Sequence, residues 1–283
     1  MNTLLKNLTI KNNFMFAAVM SDEENCKGFL ERALSMKIDH VEISTEKNIV
    51  YHPEYKGVRL DVYAKDENNT RYNIEMQVLK QPALGRRSRY YQSQMDMELL
   101  AKGCEYAELP DSYVIFLCDF DPFGEGKYRY TFWTACEETE EASLEDGRCI
   151  MFLNTRGQNA EDVPKELVSF LKFVHADLKE SQKDFQDDYV RQVQKSVIHI
   201  KENREMEERF MLLELLLQDE RREGRKEGLE ATKEMLQMTL ETFGQLPDSL
   251  LKVLQEQEDI EVIKDWMKIA LKAQSLDDFI SKM

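Results

Sequence analysis

The segment LDVYAKDENNTRYNIEMQVLK, residues 60–80, decides how the fold of this chain is interpreted. Apolar and polar residues alternate on both sides of DENNT, and this pattern is typical of two β-strands joined by a turn. If DENNT is the whole loop, Lys65 pairs with Arg71 and Asp61 lies directly opposite Glu75. Directly opposed side chains of an antiparallel pair are about 4.5–5.5 Å apart at Cβ. The sequence therefore predicts two carboxylates side by side on one hairpin.

Two carboxylates placed in this way repel each other unless a positive charge lies between them. Mg²⁺, or Mn²⁺ in its place, prefers oxygen ligands and completes its shell with water and substrate phosphates. Such an ion would polarise a phosphodiester and activate a water. Gln77 lies on the same face about 7 Å further along the strand, and its carboxamide can orient a water but cannot take a proton. The solvated face of a half-exposed sheet gives the same spacing, so spacing alone leaves both readings open.

A basic strip follows the hairpin in a chain whose formal net charge is −16. Residues 80–95 contain four cations and no acid, although an acidic surface elsewhere would repel a polyanion. A helix is predicted over residues 84–103, and on it Arg87, Tyr91 and Gln94 would share one face that could meet a DNA backbone. The alternative is an ordinary surface face with a snorkelling arginine. The residues predicted to bind DNA are Lys80, Arg86, Arg87, Arg89, Tyr90, Tyr91 and Gln94.

The remaining patterns predict an α/β domain over residues 1–180 and a helical extension over residues 181–283. Two short helices are expected near the start and another helix at 165–174. Strands are expected at 41–50, 58–63, 72–78, 112–120, 128–136 and 148–154. In the extension we expect a long helix, a linker broken by Gly224 and Gly228, and a small helical hairpin that begins at a Pro-Asp cap.

An apolar stripe in the extension, formed by Met206, Phe210, Leu213 and Leu217, predicts a homo-oligomer. Packing of the stripe on the chain's own terminal hairpin is the alternative.

Five scattered cysteines and four histidines show no spacing typical of a zinc site or a disulfide framework. An export signal or an apolar run long enough to span a membrane is not evident in the sequence, so a cytoplasmic location is expected.

The run LDVYAKDENNTRYNIEMQVLKQPALGRRSRYYQSQ, with NNFMFAAVM before it and GCEYAELPDSYVIFLCDFDPF and EGRKEGLE after it, resembles the PD-(D/E)XK nuclease family transposases. These are also called Rpn recombination-promoting nucleases, and the resemblance covers most of residues 10–230. It implies a restriction-endonuclease-like mixed β-sheet flanked by helices. Asp61 and Glu75 would correspond to the metal-binding acids, and Gln77 stands where the wider superfamily usually has lysine.

The resemblance also matches Arg87, Tyr90 and Tyr91 to the family's helix motif. Asn12 and Asn13 stand where many relatives have an aspartate, so Glu31 and Glu54 are only candidates for an N-terminal metal ligand.

These observations predict a Mg²⁺-dependent DNA endonuclease linked to recombination or transposition, with Asp61, Glu75 and Gln77 as its catalytic set. The competing hypothesis is a catalytically inactive nuclease-like fold that binds nucleic acid or protein. The complete set of three residues favours the enzyme, and the net charge favours the binding module.

Overall fold

A computed structural model describes residues 4–49 and 57–283. The chain divides into two compact units, Met1–Glu207 and Glu208–Met283. Each unit has a hydrophobic core of its own.

The first unit is built on a six-stranded mixed sheet in the order β1-β2-β3-β4-β6-β5. Strands β3, β4 and β6 run parallel to one another, and the other neighbouring pairs are antiparallel. This confirms the predicted mixed sheet flanked by helices. The strands are Val41–Ile49 (β1), Val58–Asp66 (β2), Arg71–Gln77 (β3), Ser112–Cys118 (β4), Arg129–Phe132 (β5) and Arg148–Asn154 (β6).

The described residues of this unit also form the α-helices Asn13–Met20 (α1), Glu23–Leu34 (α2), Leu84–Leu99 (α3), Lys165–His175 (α4) and Asp188–Glu202 (α5). Helix α3 packs on β4, while α1, α2, α4 and α5 pack together. Cys118 belongs to the core under α3, and the next residue, Asp119, binds His175 at the end of α4. Since successive side chains of a strand point to opposite faces, α3 and α4 lie on opposite sides of the sheet.

The boundary between the units lies near Glu207, not near residue 180 as predicted, because α5 packs into the first unit. The Tyr189 hydroxyl of α5 donates a 2.6 Å hydrogen bond to the carbonyl of Asn25 in α2. A Cβ added at Gly28 would lie only 2.5 Å from the Tyr189 ring, so glycine permits this close approach of the two helices.

The second unit is helical and starts within the 38-residue helix α6, Arg204–Glu241. It continues with α7 (Asp248–Glu256), α8 (Ile260–Ala270) and α9 (Leu276–Ile280), which bury Leu236, Leu250, Ile263 and Phe279. The predicted start of the hairpin at Pro247-Asp248 is confirmed.

The predicted break at Gly224 and Gly228 is wrong, because α6 runs through both glycines. A glycine in a helix costs about 1 kcal/mol relative to alanine. Its neighbours here are strong helix formers, and ion pairs such as Arg222–Asp219 support the turns around it. None of the helices in the described part of the chain is long and apolar enough to cross a membrane.

The buried carboxylate of Asp119 contacts side chains from three separate segments of the first unit. Asp119, which is 6% exposed, follows β4. Its Oδ1 lies 2.6 Å from His175 Nδ1 and accepts a 2.8 Å hydrogen bond from the Thr155 hydroxyl, and its Oδ2 lies 3.2 Å from Lys11 Nζ. Although burial alone would raise the pKa of Asp119, the hydrogen bonds from these three partners lower it below its usual value.

A lowered carboxyl pKa contributes stability above the unfolded-state pKa, and this stability is lost as the pH falls through the folded-state value. We therefore expect Asp119→Asn to cost about 2 kcal/mol at pH 7, which corresponds to a melting temperature lower by about 4–8 °C for a unit of this size. Thermal melts of both proteins should converge as the pH falls below about 4. The exposed Asp162, which pairs with Lys127, provides the control, and Asp162→Asn should change the melt far less. A constant difference across the pH range would contradict the account.

Candidate metal-dependent nuclease site

The site begins where β2 separates from β3. The strands pair from Lys65–Arg71 to Val62–Ile74, which confirms the predicted register. At the next position, Asp61 Oδ2 accepts a 3.1 Å hydrogen bond from the Met76 amide, and Glu75 Oε1 accepts a 3.3 Å bond from the Asp61 amide. Each carboxylate thus accepts a hydrogen bond from the backbone of the opposite strand. We call the pair formed by Asp61 and Glu75, where the two strands separate, the carboxylate fork.

Glu75 occupies an unusual environment for a carboxylate, since only 1% of it is exposed. Burial raises its pKa, the nearby charge of Asp61 raises it further, and Arg87 opposes both, so that the pKa reaches about 8. A carboxylate with a raised pKa is poorly compensated when it is charged. A bound cation would therefore stabilise the charged form of the fork.

Arg87 of α3 is the principal partner of Glu75. Its Nη2 lies 3.1 Å from Glu75 Oε2, its Nη1 donates a 3.1 Å hydrogen bond to Gln77 Oε1, and its Nε donates a 2.7 Å bond to the Tyr91 hydroxyl. The guanidinium carbon also lies 5.7 Å from the centre of the Phe116 ring. Arg87 therefore holds Glu75 and Gln77 in place from the helix above them.

Two of the three residues on the helix face predicted to meet a DNA backbone, which is formed by Arg87, Tyr91 and Gln94, are buried. Tyr91 is 8% exposed and Gln94 is 6% exposed, because this face packs on the sheet. The helical periodicity identified residues that share a face but not which face meets the core. In this conformation Tyr91 and Gln94 are not available to a DNA backbone.

The other basic residues of the strip do face solvent. Lys80, Arg86 and Arg89 are exposed, and within residues 4–49 and 57–283 they form no ion pair. Tyr90 is partly buried. The exposed cations lie on the segment that runs from the end of β3 into α3, next to Gln77.

Asn73 was not among the predicted site residues, although the alternation in NIEMQ places it on the same face as Glu75 and Gln77. It is fully buried beside Glu75, whose pKa its amide lowers, but neither polar atom of the amide forms a hydrogen bond of ordinary length within the described residues. An unsatisfied buried amide is costly and rare. This one provides a second polar group beside the two carboxylates.

These donors fit a hydrated Mg²⁺ ion. Protein sites for this ion commonly supply one or two carboxylates and leave the remaining positions to water and substrate phosphates. Asp61 and Glu75 supply the carboxylates, while Asn73 and Gln77 can bind its waters. A group of three or more His, Cys, Asp or Glu side chains able to hold a metal is not found in the described part of the chain.

The N-terminal candidates do not join the site. Asn12 caps α1 by accepting a hydrogen bond from the Met15 amide. Glu31 accepts one from the Ile38 amide and lies 3.9 Å from Lys37 Nζ. Glu54 lies outside the described residues.

The mixed sheet, the carboxylate fork and the flanking helices define the class of protein as PD-(D/E)XK nuclease-like. Residues 10–227 match the family described as PD-(D/E)XK nuclease family transposase. The chain belongs to this family. Comparisons with curated proteins and with solved structures found no match.

Divalent-ion binding can be measured without any assay of activity. At a concentration about tenfold above its dissociation constant, Mn²⁺ should add about 1.4 kcal/mol of stability and raise the melting temperature by about 3–6 °C. Asp61→Asn and Glu75→Gln should each abolish this shift, since both keep an oxygen for the backbone hydrogen bond but lose the charge. In EDTA they should melt no lower than the parent, because removing one repelling charge relieves the fork.

The matched control is Glu180→Gln, an exposed carboxylate outside the fork, which should keep the full shift. Unchanged Mn²⁺ shifts in both fork variants would show that the ion binds elsewhere.

Proposed function

We propose that this protein is a Mg²⁺-dependent DNA endonuclease, with Mn²⁺ as an alternative ion, that acts in recombination or transposition. The observation that carries the proposal is the fork at Asp61 and Glu75, where two carboxylates meet beside a compensating arginine. Membership of a nuclease-like transposase family supports the reaction class. A DNA substrate and five free cysteines agree with action in the cytoplasm.

When bound, the ion would supply a Lewis acid and an activated water. Asp61 and Glu75 hold it, and the pair of backbone hydrogen bonds across the fork fixes both side chains. Gln77 orients a water or a phosphate oxygen through its amide. Arg87 is a positioning residue, since it favours the charged form of Glu75 and donates 3.1 Å hydrogen bonds to Glu75 Oε2 and Gln77 Oε1.

DNA is proposed to approach along Lys80, Arg86 and Arg89. Phosphate contacts of this kind fix register without reading sequence. The three cations are exposed beside the fork, whereas the chain as a whole carries a formal charge of −16. Repulsion from the rest of the surface would direct a duplex toward this strip.

A second candidate function is a nuclease-like module that binds nucleic acid or protein without cutting it. The observation that favours it is Gln77, a neutral residue where the wider superfamily usually places a cation. Electrostatic stabilisation of a reacting phosphate is worth several kcal/mol in enzymes. Among the described residues, Arg87 is the cation that contacts the fork, through hydrogen bonds to Gln77 Oε1 and Glu75 Oε2.

Cleavage of supercoiled plasmid separates the two functions. We expect nicking that requires Mg²⁺ or Mn²⁺, that EDTA stops, and that Asp61→Ala and Glu75→Ala abolish in folded protein. Gln77→Ala should slow cleavage by about tenfold to a hundredfold, because small errors in positioning cost this much. Gln81 also accepts a 3.1 Å hydrogen bond from Arg87 but is exposed, so Gln81→Ala is the matched control and should cut normally. Retardation of DNA on a gel without any nicking would support the binding module.

The salt dependence of DNA binding tests the basic strip. Each phosphate contact contributes about 0.9 to the slope of log K against log salt. Arg86→Ala with Arg89→Ala should therefore reduce the slope by about 1.8. Lys165→Ala with Lys172→Ala removes two exposed cations of α4 and serves as the control. Equal slopes for the strip variant and the parent would exclude the strip from the interface.

We also propose that the protein is a homo-oligomer that associates through α6. The predicted stripe is not its most exposed part: Phe210 is 2% exposed, whereas Met211, Leu212, Leu215 and Leu216 are each 55–59% exposed. These four side chains form one face at positions i, i+1, i+4 and i+5. Soluble proteins rarely expose such a contiguous apolar surface without a partner.

Leu212→Glu with Leu216→Glu should convert the full-length protein to monomer in light scattering, because it places charges within the apolar face. Leu271→Glu alters a leucine that is 71% exposed at the end of α8 and should leave the mass unchanged. A monomeric parent protein would refute self-association.

A further inference from the structure

A cavity of about 560 Å³ lies in the first unit, within the helical layer that contains α4 and α5. Its walls come from the chain before α1, the end of α4, the loop that follows α4, and one face of α5. Since α3 and α4 lie on opposite sides of the sheet, the cavity is separate from the carboxylate fork. Its volume is within the range of small-molecule sites, about 300–1,000 Å³.

The charged side chains around this cavity are all basic. They are Lys6, Arg191, Lys195 and Lys201, and none of the described residues that line the cavity is a carboxylate. Arg191 pairs with Asp184 and Asp188. The three lysines, by contrast, have no ion-pair partner in the portion of the chain that the structure describes. On a chain with a net charge of −16, cations grouped without compensating acids indicate an anionic ligand.

The partial desolvation of Lys201 also favours an anionic ligand. Partial burial lowers the pKa of Lys201, which means that its charge is incompletely solvated. An anion in the cavity would replace the lost solvation. Lys195 lies six residues earlier on α5, and both lysines line the cavity from this helix.

Apolar residues make up half of the uncharged lining, which also contains Thr9, Ser181, Gln182 and Gln194. Phe173 and Ile10 are buried, and Ile198 is 53% exposed although it lines the cavity. Gln194 adds one oriented polar group, because its Nε2 donates to the carbonyls of Ser181 and Lys183 and leaves its Oε1 as an acceptor. A ligand that matches this lining has an apolar part, hydrogen-bond donors and an anionic part.

We infer that this cavity binds a nucleotide with two or more phosphate groups. The base would lie against the exposed side chain of Ile198 and donate to Gln194 Oε1, and the phosphates would reach Lys195 and Lys201. A free polyphosphate would leave the apolar side uncovered. A fatty acid has a single charge and would leave most of the cations uncompensated. The protein would thus carry a second, metal-independent nucleotide site.

Calorimetric titration of the full-length protein with ATP in EDTA tests this inference, because EDTA removes any binding through a divalent ion. ATP should bind more tightly than its separate parts, adenosine and tripolyphosphate, by at least about tenfold. Lys195→Gln with Lys201→Gln should weaken ATP binding by about tenfold to a hundredfold, since two charge-assisted contacts are lost. Lys102→Gln with Lys165→Gln alters two exposed lysines outside the cavity and should leave ATP binding unchanged.

Three results would overturn the inference. ATP does not bind, or tripolyphosphate binds as tightly as ATP, or the cavity variant binds like the control variant while both melt like the parent. Tighter binding of dodecyl phosphate than of ATP would also overturn it and would assign the cavity to an amphiphile.

Discussion

The repulsion between Asp61 and Glu75 is the constraint on which the site depends. The strand register brings both carboxylates into one fork, and burial of Glu75 removes the water that would screen them. The structure accommodates the two charges with backbone hydrogen bonds across the fork and with the guanidinium of Arg87. Because the charged form of Glu75 is poorly compensated, the site favours any divalent cation that can reach it.

The fork is connected to the parallel part of the sheet at the end of β3. The Asp119 amide donates a 2.9 Å hydrogen bond to the Gln77 carbonyl, so the carboxyl ends of β3 and β4 are held together. The Asp119 carboxylate binds Lys11 and His175 on the opposite face. The same residue therefore links the end of the strand that carries Glu75 and Gln77 to the helical layer of the fold.

The sequence predicted the hairpin well because its turn composition and its alternation gave the same register, Lys65 opposite Arg71. It placed α3 but not its buried face, since periodicity shows which residues share a face but not whether that face is buried, as Gln94 is. It also failed at Gly224, where strong helix formers on both sides outweigh one glycine. The orphaned amide of Asn73 and the basic cavity depend on contacts between distant segments, which a single sequence does not show.

The most direct test of the central claim is anomalous diffraction from crystals of the protein equilibrated with Mn²⁺. The account predicts one strong anomalous peak within about 2.0–2.3 Å of carboxylate oxygens of both Asp61 and Glu75. Crystals of Glu75→Gln should lack this peak. A fork without Mn²⁺ in crystals that bind the ion at other carboxylates would contradict the account.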